Sequence, residues 1–387
     1  MRDIDIFSGD AGRLDGILDA APTLTGGRIL RRLPAWTRDQ VLDLLAEFIA
    51  TYPAGARLDL VTDSTSIELD AQLTTAVVGG VVPPPAVFDL EIDGDVVASE
   101  STDRGHVFRV ELPSRDVTFD EGGMATIAFS DLPAGTKRLT LWLPQSASLE
   151  LRAVRIDDGA TVATPPEPSR RWVHYGSSIS QCGEAVRPTH CWPVVTARLA
   201  GVSLQSLAFG GECLLDQYVA RTIRDLDVDA ISLKVGINVV NTDSMRERTF
   251  LSAVQGFLDT IREGHVTTPI MLITPIICPA AEDHPGPTLS RGDGTPISLV
   301  DRPADLAPGA LTIGRVREFL TEIVAARQKA GDANLHLVDG RSLFGPDDLT
   351  DLPDGLHPND AGYVRMGERF HALAFGAGRP FAVSSEP

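Results

Sequence analysis

Apolar and polar residues change their spacing along this chain, and the changes divide it. Val41, Leu44, Leu45 and Phe48 recur at helical spacing, which predicts a short helical segment. Beyond Pro53 the period drops to two. Arg57-Leu58-Asp59-Leu60-Val61 and Ser66-Ile67-Glu68-Leu69-Asp70 alternate as half-buried strands do. Further strands are predicted at Val87 to Ile92, Val107 to Leu112, Ala125 to Phe129, Arg138 to Leu143 and Ser148 to Ile156. Asp93-Gly94 suits a tight hairpin, Gly122-Gly123 permits positive φ, and Pro133-Ala134-Gly135 interrupts the chain. Several short strands at this interval predict a β-sandwich, jelly-roll-like.

A polar, proline-rich stretch from Asp157-Asp158-Gly159 to Pro165-Pro166-Glu167-Pro168 disfavours helix and central strand, and a domain boundary is expected near residue 162. Strands then alternate with helices. Trp172 to Tyr175, Ser203 to Ala208, Ala230 to Val235, Ile270 to Ile276 and Leu335 to Val338 read as strands. Pro193 to Leu199, Leu214 to Ile223, Met245 to Glu263 and Ile313 to Lys329 read as helices between them. This order predicts an α/β domain, a parallel sheet flanked by helices, over residues 163–387, after a sandwich over 1–162. At 387 residues, one large domain is the alternative. The long proline- and glycine-rich connection from Cys278 to Pro308 is expected to border a substrate site.

Charge narrows the partners. With 34 Lys and Arg against 53 Asp and Glu, the formal charge of −19 opposes binding to nucleic acid or an anionic membrane. The start Met1-Arg2-Asp3-Ile4-Asp5 lacks a basic segment followed by an apolar run, and no stretch approaches a membrane span, so a cytoplasmic protein is expected. Cys182, Cys191, Cys213 and Cys278 include no metal-like C-x-x-C pair and are expected as free, largely buried thiols; the spacing also allows a Cys182–Cys191 disulfide. No metal is expected, because no histidine and carboxylate pair has ligand spacing.

Three separated segments hold the chemistry: Gly176-Ser177-Ser178-Ile179-Ser180, Gly236-Ile237-Asn238 and Asp354-Gly355-Leu356-His357. Ser178 follows a predicted strand, where open α/β sheets present their sites. A serine hydroxyl needs a base to accept its proton as it attacks an acyl carbonyl, and His357 suits that role. Asp354 is placed to hold the imidazole tautomer, with Gly355 and Pro358 favouring a turn that brings the two side chains together. Asn238 offers a side-chain NH₂ to a developing oxyanion. Read alone, the Asp354 to His357 segment is equally a surface turn leading to a helix capped at Asn359 or Asp360.

These motifs resemble those of the GDSL, or SGNH, hydrolases over roughly residues 170 to 375. Gly176 to Ser180 stands for the G-D-S-x-[ST] element, with Ser177 in place of its aspartate, and Asp354 to His357 for the D-x-x-H element. The resemblance implies a three-layer SGNH domain and a Ser178–His357–Asp354 triad. It also implies an oxyanion hole made by Ser178 N–H, Asn238 and Gly211 N–H, with Gly210 as the alternative glycine. His174, His190, Glu212 and Arg187 read as packing or surface groups, while Lys234 inside an apolar strand has no evident role. A sandwich followed by such a domain also resembles acyltransferases that decorate polyketides, including salicylate transfer in tetracycline tailoring, and sugar-ester deacylases. That implies no bound cofactor, acyl-CoA as co-substrate, and a small-molecule acyl donor and hydroxyl acceptor, or else ester hydrolysis on a carbohydrate or other small ester. By the same likeness the sandwich is carbohydrate-binding-module-like. Trp36 and Trp142 are then either sugar contacts or core residues.

Overall fold

The structure is a computed structural model that describes residues 1–41, 43–78, 80, 82–111, 116–289 and 295–382. The chain folds into two compact units. The first holds Met1–Ser169 with Ala185–Val194 and Leu204–Ser206; the second holds Arg170–Glu184, Val195–Ser203 and the chain from Leu207 onward.

In the first unit, two largely antiparallel sheets share one apolar core. Arg57–Thr62, Lys137–Trp142, Ala86–Ile92 and Asp95–Thr102 build one sheet; Ile67–Val78 and Ser148–Ile156 centre the other. Leu58, Leu60, Phe88, Leu90, Leu139 and Leu141 from the first meet Leu69, Leu73, Leu149 and Val154 from the second. Each such buried side chain stabilises the fold by roughly 1.5–3 kcal/mol. The Asp93-Gly94 hairpin forms as expected, both residues at positive φ (50° and 102°) between Ala86–Ile92 and Asp95–Thr102. Val162–Ala163, within the proline-rich stretch, pairs with Thr62 and Val61.

The short helix forms as expected at Leu44–Ala50, with Ala46, Ile49 and Ala50 buried and Leu44 88% exposed. Asp43 caps it by accepting from the N–H groups of Leu45 and Ala46, and short strands Asp19–Pro22 and Arg28–Arg31 precede it. Several local expectations need correcting. Strand Arg57–Thr62 is covered on both faces, because Asp59 is buried with Arg57, Arg138 and Thr140 around its carboxylate. The alternation is genuine, but its polar face carries an ion cluster in place of solvent. Gly122 and Gly123 do not adopt positive φ; a Cβ on Gly122 would run into the Gly105 carbonyl, so close backbone approach is what requires glycine there. Trp142 is buried, with its indole N–H on Glu91 and Arg57 over its ring, whereas Trp36 is part-exposed. Leu112, the end of a predicted strand, lies outside the described residues.

The framework of the second unit is a five-stranded parallel sheet in the order Ser203–Ala208, Arg171–Gly176, Ala230–Lys234, Ile270–Ile273, Leu335–Val338. Trp172 pairs with Ala230, and Ile270 with Ile231 and Leu335. Helices cover both faces. Trp172 stacks on Phe370 of helix Asp360–Ala374, and Tyr175, pointing the other way, stacks on Phe257 of helix Glu247–Gly264. The predicted parallel sheet and its three-layer α/β/α arrangement are present. Numbered by chain order the strands run 2-1-3-4-5, so the connections leaving the first and third strands diverge and open a crevice at their C-terminal ends.

Candidate active site

Strand Arg171–Gly176 runs into the four-residue helix Ser178–Gln181, and the junction separates its two serines. Ser177 is fully buried, and its hydroxyl has no hydrogen-bond partner among the described residues, whereas Ser178 is half-exposed. Ser178 Oγ lies 2.9 Å from His357 Nε2. His357 Nδ1 lies 2.7 Å from Asp354 Oδ2, and Asp354 Oδ1 accepts from the N–H groups of Leu356 and His357 at 2.9 and 2.7 Å. Gly355, at φ 76°, closes this turn, and Asn359 caps the following helix by accepting from Gly362 N–H. The chain thus brings together a hydroxyl, an imidazole and a carboxylate from segments about 180 residues apart. The chain carries a GDSL-like Lipase/Acylhydrolase domain, matched over residues 174–365.

Solved structures agree with that domain and extend over the sandwich. The chain is 27% identical to the salicylyl-acyltransferase SsfX3 from a tetracycline biosynthetic pathway, covering 93% of this chain and 92% of that one at a TM-score of 0.75. A putative GDSL-like lipase from Bacteroides ovatus shares the fold at 20% identity, 92% and 93% coverage and a TM-score of 0.65. The acetyl xylan esterase Est2A from the rumen bacterium Butyrivibrio proteoclasticus does so at 14% identity, 96% and 97% coverage and 0.55. No curated protein matches in sequence.

Within the GDSL-like domain, two further segments carry the expected oxyanion donors. Phe209 N–H donates to Gly176 O at 2.8 Å, tying the loop after strand Ser203–Ala208 to the segment that carries Ser178. Gly210 N–H is taken by Gln181 Oε1 at 2.9 Å, and a Cβ built there would stand 3.6 Å from Ser178 Cβ. Gly211 follows at φ 78°. Asn238 sits on helix Ile237–Asn241, 4% exposed, and its Oδ1 accepts from Cys213 N–H at 3.1 Å. That bond makes Nδ2 the donor end of the amide. Gly236 precedes it at φ 109°, and a Cβ there would strike Val316, so the turn that aims Asn238 requires glycine twice over.

Electrostatics bear on the imidazole from three sides. Burial opposes the charged form of His357, but Glu184 and then Asp354 outweigh it and raise its pKa above the ordinary 6.5, with Lys234 working the other way. Burial alone would raise Asp354; the His357 imidazole and the two backbone donors hold it below the usual carboxylate range. Glu184 escaped the sequence reading. It lies in the turn after Cys182, which adopts a left-handed conformation at φ 61°, and a lone glutamate beside a glycine carries no spacing signal.

The other singled-out residues fall elsewhere. His174 is fully buried, 2.7 Å from Ser232 Oγ and 2.8 Å from Ser180 Oγ, and burial with the Lys234 charge lowers its pKa to about 3. It is a neutral brace beneath the Ser178 turn. Arg187 lies against Asp89, Ser99 and His190. The four cysteines are buried free thiols. Lys234 is 1% exposed, and its Nζ has no hydrogen-bond partner among the described residues. The Cys278–Pro308 connection, of which 290–294 lie outside the described residues, reaches the site through Ile297 N–H, which donates to Asp354 O at 2.8 Å. Arg302 ties the same connection to Asp243, just beyond the Asn238 helix, at 2.6 Å. No helix is long and apolar enough to cross a membrane among the described residues.

Proposed function

We propose that the protein carries out serine-dependent O-acyl transfer through an acyl-enzyme at Ser178, from an acyl-CoA thioester to a hydroxyl of a polyketide-type natural product. The observation that supports the chemistry is the continuous Ser178–His357–Asp354 hydrogen-bond chain. His357 Nε2 takes the Ser178 proton as Oγ attacks the thioester carbonyl, and Asp354 stabilises the imidazolium that forms. Ser178 N–H, Gly211 N–H and the Asn238 NH₂ receive the oxyanion; Gly210 is the weaker choice because its N–H already serves Gln181. Collapse expels the CoA thiolate, which takes the proton from His357. The acceptor hydroxyl then gives its own proton to His357, attacks the acyl-serine and leaves as the ester, returning the proton to Ser178.

Transfer rather than hydrolysis is supported by the end-to-end likeness to SsfX3, a salicylyl-acyltransferase. Transfer requires that the acceptor be held in place and water kept out of the acyl-enzyme. The test is to incubate the protein with a panel of aliphatic and aromatic acyl-CoA donors, trap the acyl-enzyme by intact mass, and add a polyketide-type alcohol. Ester product forming faster than free acid supports transfer. If simple esters and acylated sugars are hydrolysed while no alcohol competes with water, the protein is an esterase using the same residues.

A further inference from the structure

His357 has two carboxylates on its Nδ1 side. Asp354 Oδ2 makes the hydrogen bond at 2.7 Å, and Glu184 Oε1 stands behind it at 3.6 Å. The other Asp354 oxygen, Oδ1, accepts two backbone N–H groups. Glu184 is itself held: Tyr363, fully buried on helix Asp360–Ala374, donates its hydroxyl to Glu184 Oε2 at 2.7 Å. The other oxygen is thereby left on the imidazole side. The charges acting most strongly on His357 are those of Glu184, Asp354 and Lys234.

We propose that Glu184, anchored by Tyr363, is a second positioning carboxylate for His357, stabilising the imidazolium formed when Ser178 is deprotonated. The inference rests on the acyl-enzyme reading above for its catalytic meaning. At 3.6 Å the contact is too long for a hydrogen bond and acts as a charge–charge attraction. Such an attraction is weak while the imidazole is neutral and strong once it holds the serine proton, so it favours the transition state over the resting site. The side chain of Glu184 is 42% exposed, which makes the attraction sensitive to salt. Asp354 fixes the tautomer; Glu184 adds charge without competing for the Nδ1 proton.

Glu184→Gln tests this, because the amide oxygen still accepts from Tyr363 and the turn keeps its anchor. The His357 ring is titrated by NMR in the wild type and in the variant, its signal assigned with His357→Ala. The expected result is a downward shift of the His357 pKa in Glu184→Gln, smaller in high salt, with the acidic limb of kcat/KM moving the same way. Tyr363→Phe, which frees Glu184, shifts it in the same direction. In the Asp354→Asn background, where Glu184 is the remaining carboxylate, adding Glu184→Gln lowers kcat/KM about tenfold below the product of the single losses. An unmoved His357 titration in Glu184→Gln, or strictly multiplicative losses, overturns the proposal. A wild type that never acylates at Ser178 overturns the acyl-transfer reading instead, and the titration still decides whether Glu184 acts on His357.

Discussion

Lys234→Met removes an ammonium group buried four residues before Asn238, and its consequence can be worked out in energy and in sign. Lys234 ends strand Ala230–Lys234 with its Nζ enclosed and no hydrogen-bond partner among the described residues. Burial lowers its pKa from the ordinary 10.5 to about 8; Cys213 and Cys182 oppose the drop and the Arg317 charge adds to it. Between those two pH values the unfolded chain holds the proton and the folded chain does not. Stability therefore rises with pH across that window, and the charged lysine costs the fold ~3 kcal/mol below it, at about 1.4 kcal/mol per pH unit. Methionine has nearly the same volume and no charge to desolvate. The variant should unfold at higher urea than the wild type at pH 7, by an amount near that figure, and the two should converge at pH 10.5. Urea titrations of the second unit's transition at both pH values make the comparison. A gap that is the same at both pH values, or a variant less stable at pH 7, would mean instead that the ammonium is compensated where it lies. The variant carries a catalytic signature as well. Removing a cation that opposes the His357 imidazolium moves the acidic limb of kcat/KM to higher pH, the reverse of Glu184→Gln.

Ser178→Ala should abolish covalent acylation, while Ser177→Ala retains it because that hydroxyl is fully buried; peptide mapping of the acyl adduct decides, and acylation at Ser177 would contradict the assignment. Asn238→Ala should lower kcat by about 10²–10³-fold with a smaller effect on KM, the signature of a lost oxyanion donor, and a change confined to KM would make it a substrate-positioning residue. Because the base must be neutral, kcat/KM should fall as pH drops through the raised His357 pKa, giving a midpoint above 6.5, with Asp354 ionised throughout; a midpoint below 6.5 would show that burial outweighs the two carboxylates.

Local pattern carried much of the architecture. Strand Ala125–Phe129, strand Ser148–Ile156, strand Ser203–Ala208 and helix Ile313–Lys329 begin and end where the periodicity placed them, because period and turn residues are properties of neighbouring positions. The helix at Leu44–Ala50 was legible as a helix, yet its buried face was not. Which side of so short a helix faces inward depends on what packs against it, and here Ala46, Ile49 and Ala50 are buried.

The residues alone supplied the chemical inventory: a serine after a strand, an Asp-Gly-Leu-His segment with turn-favouring neighbours, and a glycine in the turn before Asn238. Each of those depends on bond geometry within a few residues. The tertiary structure decided everything that depends on distance between segments. The 2-1-3-4-5 strand order placed the ends of Arg171–Gly176 and Ala230–Lys234 side by side, with Ser178 following the first and Asn238 the second. Gln181 took the Gly210 N–H, and a left-handed Cys182 turned Glu184 back to His357. No periodicity encodes these choices, because electrostatic and hydrogen-bond partners are selected by proximity in space, and proximity exists only once the sheet is wound.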